Sequence, residues 1–149
     1  MSPKPDAEAE RALALAVELR VVLGKLMRRL RDQTPGGDLT WSQKSVVIRL
    51  ERDGAMTVSA LARAEGVRPQ SMGATVAVLE AASLVTGSPD PNDGRQTVIS
   101  LTAQCRKMIK EGRAAREDWL FRALQSNFVA AERADLAASV ELLKRLADA

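Results

Sequence analysis

From about residue 6 to residue 32 the chain has no proline and a single glycine, Gly24. Across that stretch Leu15, Leu19, Val22, Leu26 and Leu30 recur at spacings of four, three, four and four, which is one face of an α-helix. At 1.5 Å per residue, about 26 residues make a helix of roughly 40 Å. That exceeds the width of a small domain. A helix this long projects, and its apolar stripe then requires a partner, with a second copy of the chain as the expectation.

The rest of the chain is punctuated more often. Thr34-Pro35-Gly36-Gly37 is a break. Thr40-Trp41-Ser42-Gln43 reads as a helix start, with Thr40 as N-cap and Gln43 closing a capping box. That helix carries Val46, Val47 and Leu50 and stops near Asp53-Gly54. A second short helix, from about Val58 to Glu65, ends at Gly66, and Pro69 suits the first turn of a third that runs to about Ala82. Val67, Met72, Val76 and Leu79 are expected on its buried face. The period then changes. Leu84-Val85-Thr86 and Thr97-Val98-Ile99-Ser100-Leu101 are short and β-branched, as strands are, and Pro89-Asp90-Pro91-Asn92-Asp93-Gly94 between them is dense in turn formers. A hairpin with an exposed loop follows. Helical patterning returns from Thr102 to about Ser126, with Met108, Ile109, Trp119, Leu120 and Leu124, and again from about Ala130 to Ala147. The order is one long helix, three short helices, a hairpin and two long helices: mainly α, with a small β hairpin.

Composition then removes whole classes of chemistry. The 149 residues predict one compact domain, or one with long arms, large enough to fold without a disulfide or metal staple. There is no histidine, which excludes Ser-His-Asp and Cys-His catalysis and every imidazole-metal site. The lone Cys105 allows no intrachain disulfide and no Cys-rich zinc site. No nucleophile–base pair, Gly-rich phosphate loop or paired-carboxylate motif is present, so no enzyme, cofactor or metal is expected. A Pro-rich, acidic start is the opposite of a signal peptide, and no apolar run approaches the ~20 residues of a membrane span. A cytoplasmic protein without a membrane partner is expected.

The pieces in the middle of the chain carry a more specific signal. Leu39-Thr40-Trp41-Ser42-Gln43 resembles the LTxxQ of the MarR family of bacterial transcription regulators. Ser59-Ala60-Leu61-Ala62 to Gly66-Val67 resembles that family's helix-turn-helix entry. Leu79 to Val85 is similar to LExxGLV, and Asp90-Pro91-Asn92-Asp93-Gly94-Arg95 followed by Leu101-Thr102 is similar to DPxDxR…LT. All four occur in order and at family spacing from about Leu39 to Thr102. The resemblance implies a winged helix-turn-helix lobe over residues 39–101, flanked by dimerisation helices over 1–38 and 102–149. It implies a homodimer on a pseudo-palindromic double-stranded DNA operator, acting as a repressor released by a small apolar or aromatic effector.

By position in those motifs, Arg95 matches the wing arginine that enters the minor groove, where a guanidinium suits the concentrated negative potential of narrow A·T-rich segments. Asp93 is expected to orient it. On the recognition helix, Gln70 occupies a base-contacting position, and Gln pairs bidentately with adenine. Arg68, Ser71 and Thr75 lie near the exposed end, with the two hydroxyls suited to phosphate contacts. The resemblance also places Trp41, Met27 and Met108 along the apolar cleft in which relatives bind phenolic or aromatic carboxylate effectors. For each of these residues an ordinary exposed or core role is the competing reading.

The departures matter as well. Gly73-Ala74 stand where the family often has Thr-Arg, so a common base-reading arginine is missing. No basic residue lies at Thr86-Gly87-Ser88, Gly94 replaces a frequent second wing arginine, and Cys105 replaces the Gly of LTxxG. The net charge is +3, yet residues 57–100 hold three arginines, Arg63, Arg68 and Arg95, against Glu65, Glu80, Asp90 and Asp93, a net of −1. Few cations imply weak binding with a shallow salt dependence. The alternative is a protein-interaction module on the same fold that has lost DNA binding.

Overall fold

The computed structural model describes residues 6–34 and 39–149. The break read at Pro35-Gly36-Gly37 lies outside them. The elements are α1 (Ala7–Arg31), α2 (Trp41–Asp53), β1 (Met56–Thr57), α3 (Val58–Glu65), α4 (Pro69–Ala81), β2 (Val85–Pro89), β3 (Thr97–Leu101), α5 (Ala103–Asn127) and α6 (Ala130–Ala147). They form two compact units: a lobe, Gly36–Gly112, and a helical unit made of Met1–Pro35 with Arg113–Ala149. The α5 helix contributes to both.

The lobe holds the hydrophobic core. Its buried apolar residues run from Val46, Val47 and Leu50 on α2, through Leu61 and Ala62 on α3 and Met72, Val76 and Leu79 on α4, to Leu84, Val85, Ile99, Leu101 and Cys105. The α2 start is closed as the sequence reads: Thr40 Oγ1 accepts the Gln43 N–H and Gln43 Oε1 accepts the Thr40 N–H, at 3.2 and 3.1 Å. The expected hairpin is part of a three-stranded antiparallel sheet of order β1-β3-β2, with Val85 opposite Leu101, Pro89 opposite Thr97 and Met56 opposite Ile99. Two residues of β1 are too few to show a period-2 pattern, which is why that strand is invisible in the sequence. A Cβ at Gly87 would lie 2.8 Å from Thr97 Cγ2, so a side chain at this position of β2 would force Thr97 of β3 to shift. Thr102 joins sheet to helix: its hydroxyl donates to the Ser83 carbonyl at 2.7 Å and accepts the Cys105 N–H at 3.1 Å in the first turn of α5.

Val67 is a correction. It is 43% exposed, whereas Met72, Val76 and Leu79 are buried. Val67 precedes the helix, where the chain is still leaving the left-handed Gly66 (φ 66°), and helical periodicity does not extend across that turn.

The helical unit is built differently. Asp6 caps α1 by accepting the Glu8 N–H at 3.3 Å, and the Arg29 guanidinium lies 5.5 Å from the Trp119 ring centroid, linking α1 to α5. Arg133 donates to the carbonyls of Phe128 and Leu124 at the α5–α6 corner. Neither α1 nor α6 has a buried residue, and their exposed apolar side chains include Leu13, Leu15, Val22, Met27, Leu136 and Leu142. None of the described helices is long and apolar enough to cross a membrane.

Candidate nucleic-acid interface

Helices α3 and α4 form a helix-turn-helix. Thr57 starts α3 by accepting the Ala60 N–H at 3.1 Å, and Gly66 ends it in the left-handed region. Arg68 is then the N-cap of α4 in extended conformation, with Pro69 at the first helical position, where a missing N–H costs nothing. Arg68 caps with backbone geometry alone; its side chain makes no cap hydrogen bond and is exposed.

At 100° per residue, Met72, Val76 and Leu79 define the inward side of α4. Gln70, Ala74, Ala77 and Ala81 fall on the opposite side, and all four are exposed. Ser71 is exposed at the edge of that row. Thr75 is half-buried, and its hydroxyl donates to the Ser71 carbonyl at 3.1 Å. Its proton is thus committed within the helix, leaving Ser71 the better phosphate donor of the two.

The wing loop between β2 and β3 is ordered by its two aspartates. Asp90 Oδ1 accepts the Asn92 N–H at 2.9 Å, and Asp93 Oδ1 accepts the Arg95 N–H at 3.1 Å. Asp90 N–H to Gln96 carbonyl, at 2.9 Å, and Gln96 N–H to Asp93 carbonyl, at 3.0 Å, close the loop. Asp93 therefore holds the backbone of Arg95, and its carboxylate does not pair with the guanidinium. Among the described residues Arg95 makes no ion pair, and it is exposed, so its full positive charge faces outward.

The residues considered for a ligand occupy separate settings. Trp41, 80% exposed, lines a hollow of about 230 Å³ on the lobe with Ser42, Ser45, Glu65, Val67, Ser71, Met72 and Thr75. Met27 lines a hollow of about 290 Å³ between α1 and α5, beside Leu30, Arg31, Arg116 and Leu120. Met108 packs half-buried against the lobe core. Cys105 is fully buried, and burial pushes its thiol up against the opposing pull of Arg106, which makes it a small hydrophobe rather than a reactive thiolate. Among the described residues no group of three or more His, Cys, Asp or Glu could hold a metal ion.

Sequence reasoning missed the polar network behind this surface. Glu65 at the end of α3 accepts from Arg49 Nε at 2.6 Å and from Ser45 Oγ at 2.7 Å, both on α2, and those two bonds hold its carboxyl below the usual range. Arg49 also donates to the Ala64 carbonyl and approaches Asp53 at 3.5 Å. Partners 16 and 20 residues apart leave no local signature. The only signal was a charged residue next to a helix-ending glycine.

A helix-turn-helix followed by an antiparallel wing with an outward arginine defines a winged-helix protein. The family model described as MarR family matches residues 39–97. An uncharacterized HTH-type transcriptional regulator of Mycobacterium bovis is 36% identical over 134 residues, covering 90% of this chain and 93% of that protein. The crystal structure of a putative transcriptional regulator from Pseudomonas aeruginosa superposes with a TM-score of 0.79 and 36% identity over 93% of this chain and 98% of that one. A mutant MepR of S. aureus bound to an oligodeoxyribonucleotide shares the fold at a TM-score of 0.70 and 19% identity, over 89% of this chain and 97% of that one. The chain belongs to the MarR family of transcriptional regulators, a family of regulators and not of enzymes.

Proposed function

We propose that this protein is a sequence-specific, double-stranded-DNA-binding regulator that acts as a homodimer on a pseudo-palindromic operator in the cytoplasm. The observation that carries the reading is the wing: two aspartates fix the loop backbone while the Arg95 guanidinium stays unpaired and exposed, and α4 of the same lobe presents an exposed row that begins with Gln70. The α1 and α6 helices, without a buried residue, supply the apolar faces that a second copy would cover, within the segments 1–38 and 102–149. The MepR structure with its oligodeoxyribonucleotide shows what this fold does in that protein.

Repression relieved by a small apolar or aromatic effector completes the proposal. The two hollows, of about 290 and 230 Å³, lie below the roughly 300–1,000 Å³ of drug-sized ligand sites, which restricts an effector in either to a small one. A ligand that prefers a lobe arrangement mismatched to the operator would weaken binding by that preference.

A second reading, a winged-helix interaction module that has lost DNA binding, draws on one observation: α4 contains no Lys or Arg. Mobility shifts against the protein's own upstream DNA at two salt concentrations separate the two. The expected result is specific binding with a shallow salt dependence, since only Arg63, Arg68 and Arg95 are cationic in residues 57–100, and loss of that binding in Arg95→Ala. Failure to select any DNA sequence at low salt would leave the interaction module standing.

A further inference from the structure

The outward row of α4 is made almost entirely of carbon. Behind Gln70 come Ala74, Ala77 and Ala81, with Val78 beside them, 51% exposed. The one charged residue of the helix is Glu80, near its C-terminal end. In B-DNA the major-groove edge of guanine presents two acceptors, which arginine or lysine reads, while thymine presents a methyl group, which apolar side chains read. This helix has no arginine or lysine for the guanine pair along its outward row. It has one adenine reader, Gln70, and, four residues or one turn further on, an exposed methyl at Ala74.

We infer that α4 reads a T·A-rich half-site, with Gln70 on an adenine and the Ala74 methyl against a neighbouring thymine methyl, and that guanine is not specified at the positions this row faces. The inference rests on the DNA-binding reading above and names what that surface recognises. Double-stranded DNA is the occupant that the row favours over a protein partner because the lobe also carries the unpaired wing arginine and, at the N-cap of α4 itself, the exposed Arg68, both suited to a polyanion. The two arginines place and hold the lobe through phosphate and minor groove, and the carbon row selects the sequence. The wing adds to the same preference, since arginine enters narrow A·T-rich minor grooves most favourably.

The test begins with selection from random double-stranded oligonucleotides by the full-length protein. The expected half-site has A·T pairs at its central major-groove positions. Replacing each thymine there by deoxyuridine removes one methyl, and at the position facing Ala74 the wild-type protein is expected to lose about fourfold in affinity. Ala74→Arg should move the preference at that position to guanine, and Ala74→Ser should blunt the response to deoxyuridine. A selected half-site with guanine fixed at those positions, or equal affinity for the thymine and deoxyuridine duplexes, overturns the inference and leaves DNA regulation intact. If no sequence is enriched, the DNA-binding reading falls and the inference with it.

Discussion

Ser83 is the described non-glycine residue with a positive φ, at 59°. It follows α4 in a Schellman arrangement: the Ser83 N–H donates to the Glu80 carbonyl at 2.9 Å and the Leu84 N–H to the Leu79 carbonyl at 2.9 Å. At the end of α3 the same pair of bonds occurs, Gly66 to Arg63 and Val67 to Ala62, with glycine in the left-handed position. The two ends of the helix-turn-helix thus use one motif with two residues, and serine is the costly one, by roughly 1–2 kcal/mol for a Cβ in that region. Glycine returns part of that gain by having more freedom when unfolded, about 0.5–1 kcal/mol. Ser83→Gly should therefore stabilise the protein by about 0.5–1 kcal/mol, read as a higher urea midpoint with an unchanged m-value. Gly66→Ser should shift the midpoint the other way. No change in either would mean that the left-handed geometry at these corners is not retained in solution.

At the scale of elements, the join between α2 and α3 is electrostatic as well as apolar. The Glu65 carboxyl is held down first by the Arg49 hydrogen bond and then by Ser45. A carboxyl whose folded value lies below its unfolded one contributes stability that is fully present above the unfolded value, near 4.3. That contribution disappears as the pH falls through the depressed folded value. Glu65→Gln should cost about 1–2 kcal/mol at neutral pH and flatten the acid limb of the stability–pH curve. A variant that keeps the wild-type acid limb would place the responsible carboxyl elsewhere. This network marks where sequence reading stops. Helix starts and ends were legible because their determinants are adjacent residues: Thr40 with Gln43, Pro69, Gly66, and the unbroken stretch of α1. The wing was legible as turn formers between β-branched runs. The β1 strand and the Arg49–Glu65–Ser45 cluster depend on partners brought together by the fold, the exposure of Val67 follows from the left-handed turn at Gly66, and the Asp93 carboxylate, expected to orient Arg95, holds its backbone N–H. The ligand residues were the least legible, because Trp and Met at helical spacing look alike whether they line a hollow or pack a core.

At the scale of the whole molecule, the buried apolar residues among those described lie between Val46 and Cys105, while α1 and α6 have none. The α1 sequence carries more apolar surface than a single face. Leu15, Leu19, Val22 and Leu26 share one face, and Leu13, Val17, Val21 and Met27, all more than half exposed, extend the apolar surface well round the circumference. Isolated helices are marginal in water, and most helical stability comes from packing an apolar face. In the proposed dimer the 25 residues of α1 and 18 of α6 are covered by a second chain, and the structure of the helical unit is expected to be inseparable from dimerisation. Wild-type protein should sediment as two chains at micromolar concentration, and its melting temperature should rise with protein concentration. Val22→Glu combined with Leu26→Glu places two charges on the shared face and should yield a monomer that loses helix content and operator affinity together, because two half-sites are then no longer read by one particle. The Arg95→Ala variant separates the two effects: it should remain dimeric with wild-type helix content while losing DNA. A wild-type monomer with a concentration-independent melting temperature would refute the dimer, since the apolar surface of α1 would then have to be covered within one chain.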